Sequence, residues 1–183
     1  MSYKRWFFIA ALLFGIGLAL GLVTTTDIAG LFSEEVSVLD EFTDLLAPLP
    51  KLAFLAIIFV KNVSVLLISF ALSPFFCLVP IMALTINGWI VGLVSTTVVQ
   101  EKSLGYLLAG LLPHGIFELP ALIMGEAVAL SFGTAVILAL FSKERRKLLL
   151  PNLRQNLRYL VVALTLFLPA AIIETYITPL FLT

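Results

Sequence analysis

The stretch PHGIFELPALIMGEAVALSFG, residues 113–133, decides how the rest of the chain has to fold. It is apolar enough to lie in a bilayer, yet it contains His114, Glu118 and Glu126. Ionisable side chains are costly in hydrocarbon, so a membrane segment keeps them only where they are paired or where function needs them. The stretch therefore predicts a membrane-embedded helix that carries a polar site.

The spacing places two ionisable side chains and the residues that disturb a helix in the same part of this stretch. His114 and Glu118 are four residues apart, which puts both side chains on one face of a helix. The residues expected to disturb that helix are Pro113, Gly115 and Pro120. A proline lacks the backbone N–H and clashes with the carbonyl group four residues before it. Two arrangements are compatible with this: a kinked helix from Pro113, or a straight helix from Pro120 that follows an irregular turn.

The composition identifies the class of protein. Of 183 residues, 61% are hydrophobic and 12% are charged, and the mean hydropathy is +1.15, far from the usual mix of a soluble domain. A chain of this length has room for several spans of ~20 residues. We predict an all-α, polytopic transmembrane helix bundle that forms a single membrane domain, residues 1–183. Membrane lipid is its expected surrounding, no nucleic-acid-binding patch is present, and the single cysteine, Cys77, excludes an internal disulfide.

The apolar segments predict about five spans. The first, Met1–Val23, follows Lys4 and Arg5 as a signal peptide would, but its apolar run is long and lacks a small-residue cleavage site. We therefore expect an uncleaved first helix. The remaining spans are expected over 52–72, from about 81 to Val99, from the 113–133 stretch to Phe141, and over 159–179.

Residues 27–50 have a different character. Their apolar residues recur with a period near 3.6, which predicts an amphipathic helix on the membrane surface. Pro48 and Pro50 end it. Its polar positions hold the acids Asp27, Glu34, Glu35, Asp40, Glu41 and Asp44. This acidic face could bind a basic protein partner, or it could simply face water.

Charge segregation predicts the orientation of the chain. Residues 142–158 are expected to form a loop that holds the basic residues Lys143, Arg145, Arg146, Lys147, Arg154 and Arg158. Basic residues in short loops mark the cytoplasmic side of a membrane. In a multi-pass protein of the cell membrane, five spans then place the N-terminus in the cytoplasm. The 27–50 helix and the C-terminus fall on the extracytoplasmic side.

Further polar residues lie within the other spans. Asn62 can connect helices by hydrogen bonds in lipid, and its neighbour Lys61 either pairs with a carboxylate or extends to the membrane surface. Asn87–Gly88 predicts a polar side chain beside a close approach of two backbones. Glu174 is expected ~22 Å from the cytoplasmic end of a ~30 Å core, at ~1.5 Å per residue. At that depth it can meet His114 and Glu118.

Four of these sequence features resemble the stage II sporulation protein M family: PHGIFELPA at 113–121, Asn87–Gly88, Asn62, and ETYITP at 174–179. The resemblance runs from about residue 50 to the end of the chain. It implies a small polytopic membrane protein of bacteria or archaea. In spore-forming bacteria it implies a membrane scaffold for peptidoglycan-degrading partners. The family's polar positions fall on Asn62, Asn87, His114, Glu118 and Glu174, whereas Lys61 and Glu126 are less typical of it.

Three functions remain compatible with the sequence. A scaffold would use the polar residues as structural hydrogen bonds and the acidic helix as its binding surface. A transporter, or a protein that conducts ions or protons, would use the same residues as a cation site, and a homodimer would supply more spans. An intramembrane metal-dependent hydrolase would use His114, Glu118 and Glu174 as ligands of a divalent metal ion. We favour the functions without catalysis, because one histidine four residues before a glutamate is a weak enzymatic signal.

Overall fold

The computed structural model describes residues 3–24 and 49–182 of the chain. The predicted amphipathic helix lies outside these residues, except for Leu49 and Pro50, which are not helical. The described residues contain no strand. Their helices are α1 (Tyr3–Val23), α2 (Lys51–Leu72), α3 (Leu78–Glu101), α4 (Leu104–Phe141), α5 (Lys143–Arg146), α6 (Leu149–Tyr176) and α7 (Thr178–Phe181).

Five of these helices, α1, α2, α3, α4 and α6, are long and apolar enough to cross a membrane. The predicted all-α bundle of about five spans is therefore confirmed. Helix α4 occupies the centre and packs against all four other spans. Its buried side includes small residues such as Ala121, Gly125, Ala127 and Ala129, which allow neighbouring helices to approach closely.

Helices α1 and α3 form the closest pair, because glycines face the backbone of the partner helix. A methyl group added at Gly88 would overlap the carbonyl oxygen of Phe14, and one at Gly17 would overlap that of Thr85. The close backbone approach predicted at Gly88 is therefore present. Residue numbers increase together along both helices, since Gly21 lies against Gly92. The two helices run parallel.

The directions of the remaining spans follow from side-chain contacts with α4. Helix α2 is parallel to α4, and α6 is antiparallel to it. The contacts that establish these directions are Asn62–Glu118 and Ser69–Glu126 for α2, and, for α6, the approach of Glu174 to His114 and the contact Ser131–Asn156. The spans therefore alternate in direction. We call the end that holds α5 the basic end; Val23, Lys51 and the α3–α4 connection all lie at the opposite end.

The basic end is more helical than the sequence suggested. Residues 142–158 were expected to be a loop, but α5 covers four of them and α6 begins at Leu149. Pro151 permits this early start because the first turn of a helix does not need its N–H groups. Arg146 folds back on α4, where its Nε donates to the carbonyl oxygen of Ala139 at 2.9 Å and its Nη2 to that of Leu140 at 3.4 Å. The side chain thus satisfies carbonyl groups that the end of α4 leaves free.

Candidate functional site

Helix α4 carries the residues of the 113–133 stretch without a break. Both Pro113 and Pro120 lie inside the helix, so the arrangement with an irregular turn before Pro120 is wrong, and Gly115 is helical and buried as well. The helix begins earlier, at Leu104, where the Ser103 hydroxyl accepts a hydrogen bond from the Tyr106 N–H at 3.1 Å. This cap starts the helix nine residues before the first proline.

Three spans bring polar side chains together in the half of the bundle away from the basic end. His114 Nε2 lies 3.8 Å from Glu118 Oε2 on α4. Asn62 on α2 donates from Nδ2 to Glu118 Oε1 at 3.2 Å. Glu174 on α6 completes the group, since one ligand atom from each of His114, Glu118 and Glu174 lies within 4.8 Å of the other two. We call Asn62, His114, Glu118 and Glu174 the polar cluster.

Thr178 adds a contact that the sequence did not single out. Its hydroxyl lies 3.4 Å from His114 Nδ1. The imidazole is thus held between a hydroxyl group on one side and the Glu118 carboxylate on the other. A neutral imidazole has one donor and one acceptor nitrogen, so both contacts can be satisfied at once. Thr178 lies four residues after Glu174 in the ETYITP motif, and this position could have identified it from the sequence.

Asn87 and Lys61, which the sequence also singled out, form no hydrogen bond with the polar cluster within the described residues. Asn87 donates from Nδ2 to the Ala83 carbonyl of its own helix at 2.7 Å. Lys61 is exposed, and within residues 3–24 and 49–182 it has no ion pair of 4.0 Å or less. Two charges nevertheless act on the Glu174 carboxylate: Lys61 attracts it and Glu118 repels it.

A largely apolar cavity of about 250 Å³ leads to His114 between α3 and α4. Its lining includes Val94, Val98, Leu107, Leu111, His114 and Leu182. The cluster is itself only partly buried: His114, Glu118 and Glu174 all retain some exposure. A small species can therefore reach the imidazole without crossing the packed centre of the bundle.

The donor set of the cluster fits a divalent metal ion or a proton. One imidazole nitrogen and two carboxylates are ligands found in zinc sites that keep an open position. Tetrahedral ligands at ~2.1 Å from a metal lie ~3.4 Å from one another, whereas the three ligand atoms here lie within 4.8 Å of one another. Side-chain movements of about an ångström would close that difference. The His114, Glu118 and Glu174 side chains would hold such an ion.

Glu126 stands apart from the polar cluster, deeper in the bundle. It is 0% exposed, and its Oε2 accepts a hydrogen bond of 2.5 Å from the hydroxyl of Ser69. Its other oxygen, Oε1, is buried and has no hydrogen-bond partner among the described residues. The sequence marked Glu126 as an unusual intramembrane acid, but Ser69 carried no signal that could identify it as the partner.

Known proteins resemble this chain over most of its length. The sequence profile of the family described as stage II sporulation protein M matches residues 10–179. An uncharacterized protein of Methanocaldococcus jannaschii is 26% identical over 170 residues, which cover 92% of this chain and 90% of the relative. No solved structure matches the chain. The match covers α2, α3, α4 and α6 in full and α1 from residue 10 onward, and the chain therefore belongs to the stage II sporulation protein M family.

Proposed function

We propose that this protein binds a cation inside the membrane at the polar cluster and serves as a transporting or ion-conducting protein. The observation that carries the proposal is the convergence of His114, Glu118 and Glu174, whose ligand atoms lie within 4.8 Å of one another. These are the only three His, Cys, Asp or Glu residues so grouped within the described part of the chain. Intramembrane acids and histidines commonly mark ion pathways and proton relays.

Two further features support a cation rather than purely structural hydrogen bonds. Glu118 has a hydrogen-bond donor in Asn62, but the second carboxylate, Glu174, receives no hydrogen bond from the described residues. Two carboxylates so close together repel each other unless a proton or a metal ion lies between them. The cavity at His114 provides access from one side. A bound cation would remove the repulsion and occupy the open side of the cluster.

Cation binding can be measured directly on the purified protein. We expect Zn²⁺ or Mn²⁺ to bind the wild-type protein in isothermal titration, with about one ion per chain. Glu118→Gln, Glu174→Gln and His114→Ala should each weaken binding at least ~10-fold, since each removes one of three ligands. Glu144→Gln is the matched control, because that carboxylate lies in an exposed pair with Lys147 at 3.2 Å. If neither metal binds and proteoliposomes show no proton or cation flux, the cation proposal is refuted.

A scaffold function is the second candidate, and the helix directions favour it. Val23 and Lys51 lie at the same end of the bundle, so residues 24–50 begin and end on one side of the membrane. That connecting stretch contains six acids and no basic residue. A basic partner would find a surface of opposite charge there, and the resemblance to the family suggests a peptidoglycan-degrading enzyme as that partner.

Charge reversal separates this surface role from a structural one. We expect replacement of Glu34, Glu35, Asp40 and Glu41 by lysine to abolish association with such a partner in co-purification. The melting temperature should stay unchanged if the acids face water. A lower melting temperature would show instead that the segment is part of the fold, and the scaffold proposal would lose its binding surface.

A further inference from the structure

Glu126 is the most deeply buried ionisable side chain among the acids of the described residues. Both Glu126 and its partner Ser69 are 0% exposed, and Val128, Leu66 and Phe167 belong to the same tightly packed interior. No basic side chain lies within 4.0 Å of Glu126 in the described part of the chain. An ionised carboxylate in such surroundings, with no counter-charge, is strongly disfavoured. The bundle nevertheless keeps an acid in this packed interior.

The size of the site restricts what Glu126 can bind. Its free oxygen, Oε1, has no protein partner, and Glu126 lines neither the cavity at His114 nor the cavity at the basic end. A metal ion needs several ligand oxygens, whereas the side chains nearest to Glu126 offer only the hydroxyl of Ser69. A proton needs no such space. A protonated carboxyl group can also donate to the Ser69 oxygen, so the same hydrogen bond persists in either state of the acid.

The polar side chains that α1, α2 and α6 place near this part of α4 are uncharged at ordinary pH. Helix α2 contributes Ser69. Helix α1 contributes Tyr3, whose hydroxyl donates to the Met124 carbonyl at 3.1 Å. Helix α6 contributes Tyr159, which stacks on the Tyr3 ring with centroids 3.8 Å apart. On α4 itself the next acid is Glu118, eight residues away. A proton on Glu126 is therefore not displaced by a fixed positive charge.

Glu126 also lies between two places that a proton could reach. It follows Glu118 by eight residues and precedes Ser131 by five, which correspond to ~12 Å and ~7.5 Å along the helix. Ser131 and Thr134 line a cavity of about 310 Å³ at the basic end, together with Trp6, Arg145 and Asn152. The carboxyl group thus stands between the polar cluster and this second cavity on the same central helix.

We propose that Glu126 is a proton-binding site that passes protons between the polar cluster and the cavity at the basic end. This inference rests on the proposed cation site and deepens it, because it identifies the proton as the species that crosses the bundle. Leu66 is the barrier on this route. It is 1% exposed, lies between Asn62 and Ser69 on α2, and fills the space that a side chain at Gly125 would occupy. Rotation of this leucine would let water connect Glu118 to Glu126.

Proton flux into liposomes tests the route. The full-length protein is reconstituted with a trapped pH-sensitive dye, and a potassium gradient with valinomycin supplies the driving force. We expect wild-type flux above that of empty liposomes, and at least a tenfold loss in Glu126→Gln. Glu126→Asp should retain part of the flux, and Leu66→Ala should increase it. Glu144→Gln, at the exposed Lys147 pair, is the control and should match the wild type.

The outcomes distinguish this inference from the proposed function. Wild-type flux in Glu126→Gln, or no flux in the wild-type protein, overturns the route through Glu126. Metal binding at the polar cluster is measured on the same variants: if Glu126→Gln binds Zn²⁺ or Mn²⁺ normally, the cation site stands whether or not flux is lost. Loss of binding in Glu118→Gln with retention in Glu126→Gln is the expected pattern.

Infrared spectroscopy supplies a test that does not depend on transport. We expect the spectrum of the wild-type protein at neutral pH to contain a C=O stretch component of a protonated carboxylic acid that is lost in Glu126→Gln. Should that variant unfold, Ser69→Ala replaces it, because loss of the hydroxyl group must shift this band. A spectrum with carboxylate bands alone, or a band that Ser69→Ala leaves unshifted, overturns the inference.

Discussion

Single glycines determine how closely α1 and α3 approach each other. At Gly88 a Cβ atom would overlap the Phe14 carbonyl oxygen and lie 2.9 Å from the Leu18 nitrogen. Both obstacles are backbone atoms, which cannot rotate out of the way as a side chain can. At Gly15, on the exposed side of α1, nothing lies within 4 Å of such an atom. The two glycines therefore differ in what a single methyl group would do.

We predict that Gly88→Ala destabilises the protein and that Gly15→Ala does not. Overpacking at Gly88 should lower the free energy of unfolding by ~1–3 kcal/mol. Gly15→Ala should be neutral or stabilising, by up to ~1 kcal/mol, because alanine favours the helix. Thermal unfolding in one detergent compares the pair. Equal effects of the two substitutions would contradict the close packing of α1 on α3.

Glu118 has two roles that substitution can separate. Its carboxylate accepts a hydrogen bond from Asn62, which connects α2 to α4, and it supplies negative charge to the cluster. Glutamine keeps the acceptor oxygen and removes the charge. Leucine removes both and leaves the Asn62 amide without its acceptor, which costs ~1–3 kcal/mol if the group stays buried.

We therefore expect Glu118→Gln to melt close to the wild-type temperature and Glu118→Leu to melt clearly lower. Both should lose cation binding. Differential scanning measurements with and without Zn²⁺ give both quantities in one experiment, since a bound ion raises the melting temperature. If Glu118→Gln keeps the metal-dependent rise in melting temperature, the carboxylate serves only as a structural hydrogen-bond acceptor.

The helices show where sequence reasoning succeeds and where it fails. Apolar length was sufficient to locate the spans, because only a helix satisfies its own backbone groups in lipid. It did not reveal that α6 begins at Leu149, since the basic residues 154 and 158 suggested a solvent-exposed loop. It also left open whether α4 passes through Pro113 and Pro120. Proline weakens a helix locally, and neighbouring helices decide whether the helix continues.

Arg146 is expected to stabilise the C-terminal end of α4. Arg146 donates to the Ala139 and Leu140 carbonyl groups, and its positive charge lies at the negative end of the helix dipole. We expect Arg146→Gln to lower the free energy of unfolding by ~0.5–2 kcal/mol. Lys143→Gln, an exposed neighbour with no hydrogen bond from its side chain within the described residues, is the control. Equal melting temperatures for both variants would contradict a capping role for Arg146.

Only part of the polar site could be predicted from the sequence. Depth estimates from span ends placed His114, Glu118 and Glu174 at similar levels, and the structure brings them together. Such estimates use only the rise per residue, so they contain no information about rotation around a helix axis. Asn87 lies at a compatible level, but its amide bonds its own helix. Ser69 was missed because an isolated hydroxyl in an apolar span carries no distinctive pattern, whereas Thr178 was overlooked although it lies in the ETYITP motif.

The alternating spans make a prediction for the whole molecule. The contacts among α1, α2, α3, α4 and α6 place Val23, Lys51 and Lys102 at the same end and Arg146 at the other. We expect single cysteines at Glu35 and Lys102, with Cys77 replaced, to react with an impermeant maleimide from outside intact cells. A cysteine at Arg146 should react only after permeabilisation, because its basic surroundings mark the cytoplasmic side. Labelling of 35 and 146 from one side would contradict five alternating spans.

Some spans are synthesised well before the spans that they pack against. Helix α1 packs on α3 rather than on its sequence neighbour α2, and α2 packs mainly on α4 and α6. During insertion, α2 therefore enters the lipid before either of its main partners has been made. Its Asn62 then lacks the carboxylate of Glu118, which arrives 56 residues later. The second span depends on translation of the fourth, and a ribosome that stalls between Glu101 and Leu104 would leave a membrane intermediate with an unpaired amide exposed to lipid or to the insertion machinery.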